Sequence, residues 1–305
     1  MILKTSRPFW YLFKTIRWQF LLVVILCIAM GEIDTWLLDH YGFDFPIAIP
    51  AFMGTAIVFI LAFRTNQAYD RWWEARKVWG AIINDSRSWT RMALNLIDDA
   101  GTSPEACQEL KHRLLNRQIA WNYILTARLR DKEEPLKDMD RYFNGEEFEF
   151  LKRLDNPNQG ILNLQSADLK SALDQKWMEG LHHIEMEECL KGMESYQGKV
   201  ERIKKTHFPV LYDHLILFSI FLFSVLLTYA IVDRTTWFEA TFSITISSIF
   251  LALEKIASDM QDPFEDLPTD TPMTDISYTI ERGILQMAGE TEMPEPPKQG
   301  TFYIN

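Results

Sequence analysis

Phe45-Pro-Ile-Ala-Ile-Pro50-Ala-Phe-Met-Gly54-Thr-Ala-Ile-Val-Phe59-Ile-Leu-Ala-Phe63 is a run of 19 residues without a formal charge in a chain of 305. Roughly 20 apolar residues cross a hydrocarbon core, so this run reads as a membrane-spanning helix. The mean hydropathy of the whole chain is −0.11, because the apolar residues are gathered into blocks between polar stretches. Leu215 to Val232 supplies 18 more uncharged residues. Phe20 to Gly31 is shorter, at 12 residues, but Trp18 and Trp36 flank it as interfacial anchors would. Ala240 to Leu253 adds 14, and lengthens through Thr235, Thr236, Trp237 and Phe238 if Glu239 is tolerated. Four spans are expected. A removable signal peptide is not, since Glu32 and Asp34 follow the first run where a small-residue cleavage site would stand.

Charge beside the spans sets the topology, because Lys and Arg stay on the cytoplasmic side. Lys4, Arg7, Lys14 and Arg17 precede the first span, and Arg64, Arg71, Arg76 and Lys77 follow the second. Between them lie Glu32, Asp34, Asp39 and Asp44, with no Lys or Arg. The expectation is a multi-pass protein of the inner (plasma) membrane with both termini cytoplasmic. Lys199, Arg202, Lys204 and Lys205 precede the third span, so the intervening stretch is cytoplasmic too. The chain divides into spans one and two at 10–70, a cytoplasmic domain at 71–207, spans three and four at 208–257, and an acidic tail at 258–305.

The 71–207 stretch carries apolar residues at helical spacing, such as Cys107, Leu110 and Leu114, and no sustained two-residue alternation. The fold class is therefore all-α. Turn formers cluster at Gly101-Thr102-Ser103-Pro104, at Asp155-Asn156-Pro157-Asn158 and at Pro263. With 31 basic and 42 acidic residues the formal charge is −11, the wrong sign for a protein that binds a phosphate backbone. Ten acidic and two basic residues in 258–305 contribute eight of those charges, and Pro294, Pro296 and Pro297 suggest an extended surface strap. Cys27, Cys107 and Cys189 stand far apart, which supports neither a disulfide framework nor a zinc finger and points to buried, inert thiols.

Glu109-Leu-Lys-His112 and Glu179-Gly-Leu-His182 both match Glu-x-x-His, the spacing that puts a carboxylate and an imidazole on one helical face in di-iron bundles. Those ligands must project into the bundle. At 100° per residue, His112 lies about 200° from Leu110 and Glu179 about 200° from Trp177, away from the apolar stripes. A charged face is the reading preferred over a metal site. In the second span Phe52, Thr55, Phe59 and Phe63 recur at three and four residues and mark one face. Such a row packs against a neighbouring helix, or, repeated around an axis by several subunits, makes a hydrophobic constriction that gates by dewetting. Pro46, Pro50 and Gly54 allow close approach or bending.

Beyond the second span comes Phe63-Arg-Thr-Asn-Gln-Ala-Tyr-Asp-Arg71-Trp72-Trp73-Glu74-Ala-Arg76. Arg71-Trp72-Trp73-Glu74 after a Phe-rich span resembles the signature of the bestrophin family of ion channels. The preceding Phe63 to Tyr69 stretch, with Trp79-Gly80 downstream, is similar to its bacterial branch. His207-Phe-Pro209 and Asp262-Pro263-Phe264-Glu-Asp266-Leu-Pro268 add matches near spans three and four. The resemblance implies a homopentamer embedded in the lipid bilayer, with a central pore for small monovalent ions; no cofactor is expected, and the acidic charge balance speaks against a nucleic-acid partner. It carries the pore neck onto Thr55, Phe59 and Phe63, where Thr55 departs from the usual apolar residue. It also implies a second, cytoplasmic constriction at Leu181 or Ile184. Animal members hold calcium at a place matching the acidic run Asp259, Asp262, Glu265, Asp266 and Asp270, which makes Asp262, Asp266 and Asp270 the candidates, but Leu267 and Pro268 interrupt the acidic pattern here. The expected function is passive conduction, with chloride slightly favoured. A cation channel of the same fold, a di-metal oxidoreductase using Glu109/His112 and Glu179/His182, and a closed membrane scaffold stand as alternatives.

Overall fold

The computed structural model describes residues 8–41, 45–98, 103–206, 209–231 and 236–296. Lys4, Arg7, Asp44, Gly101, Thr102, His207, Phe208, Thr235 and Pro297 lie outside them, as do the side chains of Asp34 and Asp39. The described residues form α1 (Pro8–Tyr41), α2 (Ala48–Asn95), α3 (Pro104–Leu129), a short 3-10 turn (Asp140–Tyr142), α4 (Gly145–Lys152), α5 (Pro157–Asp174), α6 (Gly180–Lys205), α7 (Val210–Ala230), α8 (Thr236–Gln261) and α9 (Met273–Ala288). No strand occurs among them. α1, α2, α7 and α8 are long and apolar enough to cross a membrane.

α1 and α2 outrun by the most the apolar blocks that announced them. α1 spans 34 residues, because neither Gly31 nor the acids after it break a helix that nothing forces to stop. α2 spans 48 residues, about 72 Å at 1.5 Å per residue, more than twice a hydrocarbon core of about 30 Å. The Arg71-Trp72-Trp73-Glu74 run is thus helical.

The chain divides into two compact units, 3–72 with 207–262, and 73–206 with 263–305. In the first, α1, α7 and α8 pack on one another. Its core takes Ile16, Val23 and Cys27 from α1, Ile57 and Leu61 from α2, Ile216, Ile220, Phe223 and Leu227 from α7, and Ala240, Phe250 and Leu251 from α8. Trp18, Leu211, Phe218 and Trp237 remain exposed on its outside, as apolar side chains facing lipid would.

In the second unit α3 is central, burying Leu114, Ile119, Trp121, Ile124 and Leu125 against α5, α6 and α9. α9 lies inside the tail expected to be an extended strap. Met273, Ile276, Ile280 and Ile284 recur at three and four residues and bury one face of it. Glu281 on that face is buried and accepts hydrogen bonds from Tyr123 Oη and Tyr142 Oη, each at 2.6 Å. Burial and this carboxylate push both phenol pKa values up. Arg117, also buried, ties α3 to α4 and α5 through Glu147 at 2.6 Å and Asp168 at 2.8 Å. Cys27 and Cys107 are buried and Cys189 is half-buried. Burial pushes the Cys189 thiol up to about 12, so it stays protonated and unreactive.

Candidate functional site

Pro50 falls in the first turn of α2, where a missing N–H is tolerated. The helix continues through Gly54 without interruption, so close approach, not a break, is what this glycine serves. A Cβ on Gly54 would stand 2.9 Å from the Phe223 ring of α7.

The next turns separate into two faces. Ile57, Leu61, Arg64 and Ala68 are each at most 3% exposed and form the inward stripe. Phe52, Phe59 and Phe63 are 79%, 64% and 53% exposed, and Thr55 is exposed beside them. Phe59 and Leu61 are two residues apart, or about 200° of helix, so the rows occupy opposite sides. The Phe59 and Phe63 rings meet edge to face, with centroids 4.7 Å apart. Thr55 Oγ1 donates to Ala51 O at 2.9 Å, which spends its hydroxyl proton on its own helix and leaves outward only a methyl group and acceptor lone pairs. From Ala48 to Phe63 the face has no ionisable side chain.

Leu181 and Ile184 stand in the first two turns of α6, 74% and 61% exposed. They too are apolar side chains held outward on a helix whose packed residues, Met186, Leu190 and Met193, follow on another face.

The carboxylates and imidazoles lie elsewhere. Glu109 is exposed and 4.0 Å from Arg113, while His112 sits 3.1 Å from Gln108 Nε2. Glu179 is the exposed N-cap residue of α6, with His182 half-buried in the first turn. In the acidic run, Asp259 pairs with Lys255 at 2.6 Å, Asp266 with Arg130 at 2.7 Å, and Asp270 accepts the Leu267 N–H at 3.0 Å. Each of these carboxylates already has a cation or a backbone donor. No group of three His, Cys, Asp or Glu side chains arranged to hold an ion occurs among the described residues. In the aromatic signature, Arg71 Nε donates to Gln261 O at 2.8 Å, joining α2 to the end of α8, and Trp72 packs near Tyr69.

Arg64 is the residue whose partners are not visible from the sequence. Counted there as a flanking cytoplasmic charge, it is buried, with Nη1 3.0 Å from Glu254 Oε1 and Nη2 2.8 Å from Asp213 Oδ1. The signal available was an acid at the edge of each of spans three and four, since an ionisable group at membrane depth needs a partner.

A family model described as Bacterial/Fungal Bestrophin protein matches residues 11–286. The chain belongs to this family. Among its bestrophin relatives, the voltage-dependent anion channel-forming protein YneE of Escherichia coli K12 is 28% identical over 276 residues, 90% of this chain and 88% of that one. The similarly named protein sll1024 of Synechocystis is 28% identical over 278 residues, 88% of this chain and 89% of that one. A solved bestrophin homologue from Klebsiella pneumoniae superposes with a TM-score of 0.82 at 25% identity, covering 91% of this chain and all of that one. The bestrophin fold is thus shared along nearly the whole chain, which is a membrane channel protein and not an enzyme.

Proposed function

We propose that the protein forms a homopentameric channel of the inner membrane that passes small monovalent ions, with chloride slightly favoured, through a neck lined by Thr55, Phe59 and Phe63. The observation that carries this reading is the outward Phe row of α2, exposed and uncharged while the opposite face of the same helix is buried. Five such rows around an axis make stacked apolar rings, and a narrow apolar ring closes a pore by excluding water. Phenyl edges carry the positive end of the ring quadrupole and favour an anion over a cation. The names of the relatives support the same ion sign.

In this reading 10–70 and 208–257 belong to the membrane, 71–207 and 258–305 to the cytoplasm, and both termini are cytoplasmic. Leu181, with Ile184 beside it, forms the second constriction. The test is the reversal potential of purified protein in a planar bilayer under a KCl gradient. Displacement toward the chloride equilibrium value is expected; displacement toward the potassium value would replace this reading with a cation channel of the same fold.

A further inference from the structure

The inward stripe of α2 contains one charged residue. Ile57, Leu61 and Ala68 make only apolar contacts, which are weakly directional where lipid tails are equally apolar surroundings. Arg64 changes that. Its side chain is fully buried between Asp213, in the first turn of α7, and Glu254, near the end of α8. The Glu254 contact is a hydrogen bond, and the Asp213 contact a close charge pair. A turn of α2 by one residue, about 100°, would carry the guanidinium away from both carboxylates and leave the buried Arg64 and Glu254 charges without each other, while Asp213 keeps part of its access to solvent. Buried ionic groups of this kind are best attested as devices that set register.

The neck row is bracketed by two such fastenings. Gly54 admits the Phe223 ring of α7 on one side of it, and Arg64 binds α7 and α8 on the other. They are ten residues apart, or about 15 Å of helix, and Thr55, Phe59 and Phe63 lie between them. The remaining charges of α8 nearby, Lys255 and Asp259, are paired with each other at 2.6 Å and do not compete for Arg64.

We infer that Arg64 is a positioning residue of the neck, its two-carboxylate clamp with Asp213 and Glu254 fixing the rotation of α2 that presents Phe59 and Phe63 to the conduction path. This rests on the neck reading proposed above. It predicts that Arg64 affects current only by way of the two phenyl rings.

The experiment is a double-mutant cycle on single-channel open probability in planar bilayers, using full-length channels. Arg64→Met removes the clamp at similar side-chain volume. Glu254→Gln keeps an acceptor for the guanidinium but weakens one arm, and carries the same cycle if Arg64→Met does not assemble. Arg64→Lys keeps the charge but cannot span both acids. In the parent, Arg64→Met and Glu254→Gln should each change open probability about fivefold or more, with Arg64→Lys intermediate. In channels already carrying Phe59→Ala and Phe63→Ala, the same substitutions should change it less than about twofold.

An equal effect in both backgrounds would mean that Arg64 acts on general stability, and would overturn the inference. Unchanged currents from both clamp variants, in channels that do respond to loss of the rings, would overturn it while the neck reading stands. No response to loss of the rings themselves would remove the neck reading and this inference together.

Discussion

The two halves of α2 treat their aromatic side chains oppositely. Before Arg64 the helix points Phe52, Phe59 and Phe63 outward and buries smaller aliphatic residues. After Trp73 it buries Trp79 and Trp89 completely, together with Ile82 and Met92. The same helix therefore hides its large aromatics in one half and turns them away from the core in the other. A row of rings left outside is thus not a packing failure but a surface whose partner is another subunit, lipid or the permeating ion.

That contrast can be broken by stability measurements on purified protein. Trp79→Ala and Trp89→Ala should each cost about 3–5 kcal/mol, the loss expected for a fully buried aromatic. Phe59→Ala should cost less than about 1 kcal/mol, as for a residue outside its own subunit's core. A comparable loss for Phe59 would mean that its ring supports the fold and not a pore.

The glycines of the two halves sharpen the contrast at smaller scale. Gly54→Ala places a methyl group against the Phe223 ring and should destabilise by about 1–3 kcal/mol. Gly80 has nothing within 4 Å of its notional Cβ, so Gly80→Ala should stabilise the helix by about 0.5–1 kcal/mol through the unfolded chain. Thermal unfolding midpoints of the two variants should move in opposite directions. Movement in the same direction would show that the α2–α7 approach at Gly54 is not tight.

What could be read from the sequence follows the range of the interactions. The outward row Phe52, Thr55, Phe59 and Phe63 is local, three and four residues apart, and is visible without a structure. So are the four apolar blocks, because their length is set by the bilayer. The burial of Arg64 is not local. Its partner Glu254 is 190 positions away, and only the packing of α2 against α7 and α8 turns a flanking charge into a clamp. α9 was obscured for another reason. Met273, Ile276, Ile280 and Ile284 carry a plain helical period, but a charge tally over the whole tail averages it away. The length of α1 was obscured because Glu32 and its acidic successors end an apolar run without ending a helix.

The central claim is that the outward face of α2 is the gate. Single-channel recording of Phe59→Ala/Phe63→Ala channels beside the parent tests it most directly. Widening two apolar rings removes the barrier to wetting, and conductance or open probability should rise. Currents equal to the parent's in both measures would contradict it.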